Sequence, residues 1–325
     1  LNYVRWNKDE LAHMQWKKMG LIYKPDNVHP WSVSHAQVPI VDRVNDDVLR
    51  IYFGTRDKTN RTVTTYIEVE ADNPQHILYV HDKQCLGLGE LGCFDDSGAM
   101  PSWIVNQGDL KYLYYIGWNT GVTVSYRNSI GLAVSHDQGR TFERMYPGPI
   151  MDRTKTEPQF CACPCVIVEN GLWRMWYLSC VKWGVYKGHT EPFYHIKYAE
   201  SHDGIHWDRQ GIVAIDFKSD HEAGIVRSSV IKEDGLYRMW YSYRGYKDYR
   251  TETTVSYRIG YADSNDGTTW TRKDEQVGLD ISNTGWDSEM LAYPYVYRHK
   301  GETYMIYNGN GFGRSGIGYA RLQSY

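Results

Sequence analysis

CPCVIVENGLWRMWYLS, residues 163 to 179, reads as a short apolar strand, a turn on Asn170 and Gly171, and a second strand rich in aromatic side chains. Asn and Gly are the residue types that accept the positive φ of a tight hairpin, so the stretch predicts an antiparallel pair. The same design returns in MPSWIVNQGDLKYLYYIGW (100–118), RSSVIKEDGLYRMWYSY (227–243) and YPYVYRHKGETYMIYNGNG (293–311), with a weaker copy in QVPIVDRVNDDVLRIYFGTR (37–56). After three of the pairs comes an alternating strand, SIGLAVS, HIKYAES or RIGYADS, and then a polar turn: SHDQGRTF, SHDGIHW or SNDGTTW. These turns begin at Ser135, Ser201 and Ser264, 66 and 63 residues apart, which is a structural period.

Each unit therefore reads as a four-stranded antiparallel meander. Such a sheet cannot bury both faces alone, so the units are expected to pack around an axis as an all-β, five-bladed β-propeller. The chain ends on GIGYARLQSY, a third strand without a fourth, while WKKMGLI (16–22) copies the fourth-strand stretch WDRQGIV (207–213). An N-terminal strand is thus expected to close the ring. The whole chain, 1–325, reads as one domain with blades near 32–80, 92–148, 155–215 and 220–275, the last being 285–325 plus 16–22.

The totals narrow the partners. A formal net charge of −3 favours neither nucleic acid nor an acidic membrane surface, and no apolar run is long enough to cross a bilayer. LNYVRWNKDE lacks the basic, apolar and small-residue regions of a leader, and six cysteines in 325 residues do not make a disulfide scaffold. A cytoplasmic protein is expected. The 28 tyrosines and 12 tryptophans, against 7 phenylalanines, supply aromatic surface with polar handles, which suits sugars and β-sheets alike.

Neither a cofactor nor a metal is expected. Asp137, Asp203 and Asp266 fit turn chemistry, where a carboxylate accepts backbone N–H groups, and ADSNDG (262–267) misses the alternate acid spacing of a calcium loop. Alternation puts Cys161, Cys163 and Cys165 on one face about 7 Å apart, and packing near a crowded axis explains them better than zinc.

The strand pairs typified by CPCVIVENGLWRMWYLS, together with the SHDGIHW turn, resemble the five-bladed propeller clan of glycoside hydrolases, which includes arabinanases, xylosidases, invertases and β-mannoside phosphorylases. The resemblance spans residues 16 to 325. It implies a carbohydrate-active enzyme with carboxylates one or two residues before the Pro, or its equivalent, of each innermost strand. Here the residues just before that position are Val38, Met100, Cys163, Arg227 and Tyr293.

In a meander, the start of the first strand, the end of the second and the start of the third share one mouth of the ring. First-strand starts bring His35, Asp95, Asp96, Glu157, His221, Glu222, Asp287 and Glu289 there. Carboxylates converging from several blades suit glycosyl transfer, which needs a protonated acid for the leaving oxygen and an ionised base or nucleophile. Glu157, opening the third unit roughly where the clan places its acid, is the expected acid, with Asp96 and Glu222 as candidate partners. Solvated loop acids paired to nearby arginines would look the same in sequence. Substrate contacts are expected from His35, Arg56, Trp118, Arg127, His221, Arg227, Arg244, Arg258, Asp287 and Glu289.

Because Arg56, Arg127, Arg244, Arg258 and Arg314 approach the same mouth, the substrate is expected to be anionic: a uronic or nonulosonic acid, a phosphosugar or a nucleotide sugar. Three functions compete: cleavage or transfer of a glycosidic bond, glycan binding without catalysis, and a scaffold binding protein through its rim. Two carboxyl groups facing across a pocket at about 5 to 9.5 Å would mark the enzyme. A deep aromatic mouth, in place of a flat apolar one, would mark a sugar site.

Overall fold

A computed structural model describes residues 13–325. The segment LNYVRWNKDE, read above for a leader, lies outside the described residues. Strands dominate; the described residues contain only one 3-10 turn, Asp274–Gln276, and one kinked helical turn, Asn310–Gly313.

Strand β1 (Gln15–Tyr23) precedes four meanders, each paired antiparallel in chain order. The first is β2 (Ser34–Arg43), β3 (Val48–Arg56), β4 (Thr62–Glu70) and β5 (Ile77–Val80); the second is β6 (Gly98–Gln107), β7 (Leu110–Thr120), β8 (Tyr126–Ser135) and β9 (Glu143–Arg144). The third is β10 (Cys161–Glu169), β11 (Leu172–Tyr186), β12 (His189–Ser201) and β13 (Val213–Ile215); the fourth is β14 (Glu222–Glu233), β15 (Leu236–Gly245), β16 (Arg258–Ser264) and β17 (Thr271–Arg272). Last come β18 (Ala292–His299), β19 (Glu302–Asn308) and β20 (Ile317–Ser324), and here β1 supplies the fourth strand, with Trp16 opposite Leu322 and Leu21 opposite Gly318. Residues 16–22 thus pair with the C-terminal strand.

First strands pack on one another in a cycle: β2 on β6, β6 on β10, β10 on β14, β14 on β18, and β18 on β2. Middle strands are buried on both faces, as in Leu113–Ile116 of β7, because each sheet lies between two others. That is why these strands read as nearly continuous apolar runs and not as strict alternation.

Two devices recur. The first is a bulge in every first strand, where pairing with the second strand slips: between Gln37 and Ile40, Pro101 and Trp103, Ala162 and Cys165, Val226 and Ser229, and Ala292 and Tyr295. Val38, Cys163, Arg227 and Tyr293 sit at these bulges with φ of 50°, 49°, 60° and 56°, a left-handed backbone that costs non-glycine residues about 1–3 kcal/mol each. The bulge breaks alternation, so the three cysteines do not share a face as expected: Cys161 and Cys165 join the main core, and Cys163 joins a separate cluster at the axis.

The second device is the Ser-x-Asp turn. Asp137, Asp203 and Asp266 each accept two backbone N–H groups within their own turn. The turns also clasp the preceding unit: Tyr52 Oη donates to the Gly139 carbonyl, Tyr114 Oη to Gly204 and Trp176 Nε1 to Gly267. Trp240 holds the equivalent place in the fourth unit, but its Nε1 has no partner among the described residues. Trp16 packs edge-on against it instead, ring centroids 6.1 Å apart.

Candidate functional site

Where the five first strands converge, a cavity of about 250 Å3 opens. Gln37 and Val38, Met100, Cys163, Val226 and Tyr293 reach it from β2, β6, β10, β14 and β18, so the bulges deliver most of its floor. Its walls are aromatic: Trp118, Tyr126, Phe160, Tyr194, Tyr249, Tyr257 and Phe312. Arg56, Arg250, Asn128, Thr62, Ile116 and Leu178 complete the lining, and among the described residues no Asp or Glu takes part.

The charge balance of this cavity is positive. Arg56 Nε donates to Gln37 Oε1 at 2.8 Å, and no carboxylate of the described residues pairs with it. Burial pulls the Arg56 guanidinium below the ordinary arginine value, with help from the charges of Arg250 and Arg314. His35, hydrogen-bonded through Nδ1 to Ser34 Oγ at 2.8 Å, is driven down to about 3 by burial and then by Arg56 and Arg314, so it is neutral at physiological pH. Arg250 is compensated: it contacts Glu191 at 3.2 and 3.3 Å, and Tyr249 Oη donates to the same carboxylate at 2.7 Å.

The expected catalytic carboxylates stand elsewhere. In strand β7 Ile116 lines the cavity, so Tyr115 faces away from it; Leu178 and Tyr177 divide β11 in the same manner. On that far side each tyrosine meets a carboxylate and a cation. Tyr115 Oη donates to Asp95 at 3.0 Å beside Arg144 at 2.7 Å. Glu157 accepts from Tyr177 at 3.0 and 3.1 Å and from Ser179 at 3.0 Å, with Lys197 at 3.4 Å and Arg209 at 3.7 Å. Asp274 takes the Tyr241 hydroxyl and shares Arg272 with Glu222, which lies 2.8 Å from it. Asp287 takes Tyr307 at 3.0 Å and Lys18 at 2.8 Å. The cations Arg144, Arg209, Arg272 and Lys18 all come from fourth strands or their flanks, so one tyrosine–carboxylate–cation clamp recurs in four units. In the first unit the tyrosine position is Phe53, which has no hydroxyl to offer. Asp96, half-buried, holds its own loop through Gly92 N–H at 3.0 Å and Ser97 Oγ at 2.9 Å.

Of the thirteen site residues expected from sequence, Arg56 and Trp118 line the cavity, and His35 adjoins it. Arg227 is enclosed beneath it, donating to the Pro39 carbonyl at 3.0 Å between the rings of Trp103 and Tyr295. Arg244 lies behind the wall, its guanidinium 3.9 Å from the Tyr249 ring centroid and bonded to the carbonyls of Pro192 and Gly245. Arg258 is committed to Asp280 at 2.8 Å and to the Thr253 carbonyl. Arg127, His221 and Glu289 are exposed and outside the lining. Tyr249 and Arg250 were missed because they stand on the long connection between β15 and β16; its extra length over the other repeats is the signal that marks them.

No protein-family model matches the chain. Two curated proteins of Mycobacterium tuberculosis, the uncharacterized protein MT1551 of strain CDC 1551 / Oshkosh and the uncharacterized protein Rv1502 of strain ATCC 25618 / H37Rv, are each 39% identical over 311 residues, covering 96% of this chain and all of theirs. Among solved structures, the fold is similar to a glycoside hydrolase (TM-score 0.70, 18% identity, 97% of this chain and 93% of that one) and to a glycosyl hydrolase from Bacteroides ovatus (TM-score 0.69, 15% identity, 95% and 94%). It is also similar to a thermostable family-43 glycoside hydrolase (TM-score 0.64, 17% identity, 92% and 91%). At those identities the structural likeness carries the fold alone, an all-β architecture of glycoside-hydrolase propeller type. By the extent and identity of the sequence match, this chain belongs to the family of the two mycobacterial proteins.

Proposed function

We propose that the protein is a single-domain, five-bladed propeller whose axial cavity binds an anionic carbohydrate. The cyclic packing of first strands and the pairing of β1 with β20 support the closed ring. The observation that carries the ligand class is a cavity walled by aromatic rings, holding an arginine without a carboxylate partner among the described residues. Sugar C–H faces pack on aromatic rings, Gln37 and Asn128 supply polar contacts, and the Arg56 fork suits a carboxylate or phosphate. At about 250 Å3 the cavity is small beside the about 300–1,000 Å3 of ordinary small-molecule sites, so it takes a short ligand or one terminal residue of a longer one.

Binding is favoured over cleavage because a glycosidase needs two carboxyl groups facing each other across the substrate. Catalysis by Glu157 with Asp96 or Glu222 would require those groups to leave the clamps and loop bonds that now hold them. The test is calorimetric titration of the full chain with glucuronate, glucose 6-phosphate and glucose. Wild type should bind an acidic probe, and Arg56→Ala should weaken it by about 1.5–3 kcal/mol, the range for hydrogen bonds to charged groups, while glucose is unaffected. The reading fails if none of the sugars binds, or if the variant binds all of them as wild type does. Turnover of activated glycosides, lost in Glu157→Gln, would instead restore the enzyme reading.

A further inference from the structure

Two buried hydroxyls meet on the wall of the cavity. Tyr194 and Tyr257 both line it, are 6% and 2% exposed, and hydrogen-bond to each other through their Oη atoms. Each phenol has one hydrogen to donate. The bond between them uses one of the two, and no other protein group among the described residues accepts the second. Behind Tyr194 stands Arg244, 1% exposed, paired with no carboxylate of the described residues, its Nε donating to Tyr194 Oη at 3.2 Å. Its Nη1 and Nη2 donate to the carbonyls of Gly245 and Pro192, both at 2.9 Å, which are dipoles and leave the guanidinium charge unneutralised. An oxygen that accepts from a cationic donor becomes a stronger donor through its own hydrogen. That polarisation favours Tyr194 as the donor within the pair, which leaves the hydrogen of Tyr257 without an acceptor among the described residues.

We infer that Tyr257 is the cavity's donor to an oxyanion, at the end of a polarised chain running from Arg244 through Tyr194. The inference rests on the cavity being the ligand site, and it names the part of the ligand held there: an oxygen of a carboxylate or a phosphate. Arg244 has no access to that oxygen itself. The two hydroxyls carry its field to the cavity, and the ligand's charge supplies the counter-ion that none of the described residues provides at this point. The Tyr257 ring lies 5.9 Å from that of Tyr293 and 6.0 Å from that of Phe312, so the hydroxyl stands among aromatic rings.

The test uses the full chain, inorganic phosphate, glucuronate, glucose 6-phosphate and glucose, with Tyr257→Phe and Tyr194→Phe. Both substitutions keep the ring, so the unfolding midpoint, measured alongside, separates lost packing from lost binding. Tyr257→Phe should weaken phosphate and the acidic sugars by about 10- to 100-fold and spare glucose. Tyr194→Phe should give a smaller loss of the same pattern, because the donor remains and only its polarisation goes. Equal affinity of phosphate and glucuronate for wild type and Tyr257→Phe overturns the inference, and so does a wild type that binds no oxyanion. Phosphate binding that depends on Tyr257, with no sugar bound, would sustain the donor and sink the carbohydrate reading. The ranking of glucuronate against glucose 6-phosphate assigns the oxyanion as carboxylate or phosphate.

Discussion

The two faces of the second strands have taken opposite courses. On one face the same tyrosine–carboxylate–cation clamp stands in four units, with Tyr115, Tyr177, Tyr241 and Tyr307 each holding an acid beside a base. On the other, at the axis, the units differ: Val38, Met100, Cys163 and Tyr293 hold one position in four units and meet Val226 of the fourth unit in one cavity. Repetition marks what every blade needs in order to stand, and divergence is what the proposed binding site would require. Charged residues drew attention to the repeated face, although the distinctive chemistry is on the other.

Three experiments press on this contrast beyond the binding tests above. The largest effect is expected at Trp16, which covers Trp240 where the repeated clasp is missing. Trp16→Ala should cost about 3–5 kcal/mol of unfolding free energy in a denaturant titration. A loss below about 1 kcal/mol would mean that β1 does not hold the last unit.

Next is Glu157→Gln, which leaves Lys197 and Arg209 facing an uncharged amide in a site only 7% exposed. Destabilisation of about 3 kcal/mol with unchanged ligand affinity is expected, because breaking a buried ion pair strands its partners. An equally stable variant with altered binding would dissolve the distinction between the two faces.

The smallest effect lies in the turns. Partial burial pushes the Asp137 carboxyl up, but the Thr141 hydroxyl and amide, Ser135 and the Arg140 amide outweigh it and bring it to about 2, from an ordinary 3.8. A carboxyl depressed in the folded state contributes stability above its unfolded value and loses it as the pH falls through its folded value. Unfolding midpoints measured from pH 5 downward should therefore drop most steeply between about 4 and 2, and Asp137→Asn should flatten that limb. An identical profile in the variant would remove the turn from the account.

The order of strands, the pairing of residues 16–22 with the C-terminal strand, and the role of the Ser-x-Asp turns are legible in the sequence, because hairpin chemistry and period leave residue-level marks. The bulges are not. Nothing in CACPC announces that Cys163 takes a left-handed backbone, and without that knowledge alternation puts its side chain on the wrong face. The position of Glu157 near the start of a first strand is also legible, but its partners Tyr177, Lys197 and Arg209 come from three other stretches of chain. A carboxylate near the axis is therefore easily taken for one in the cavity. Tyr249 and Arg250 reach the site on a loop whose path no periodicity predicts, and Arg250 arrives with Glu191 already beside it.

The bulge in each first strand has a further meaning. It lifts about one side chain per blade out of the pleat and into the central hollow, while strand pairing resumes within a few residues on either side. On the proposed reading, selectivity and architecture are thereby written at different addresses. None of Val38, Met100, Cys163 and Tyr293 belongs to a clamp or a clasp, so a lineage could retune what the hollow accepts by a handful of substitutions while its blades stay as they are.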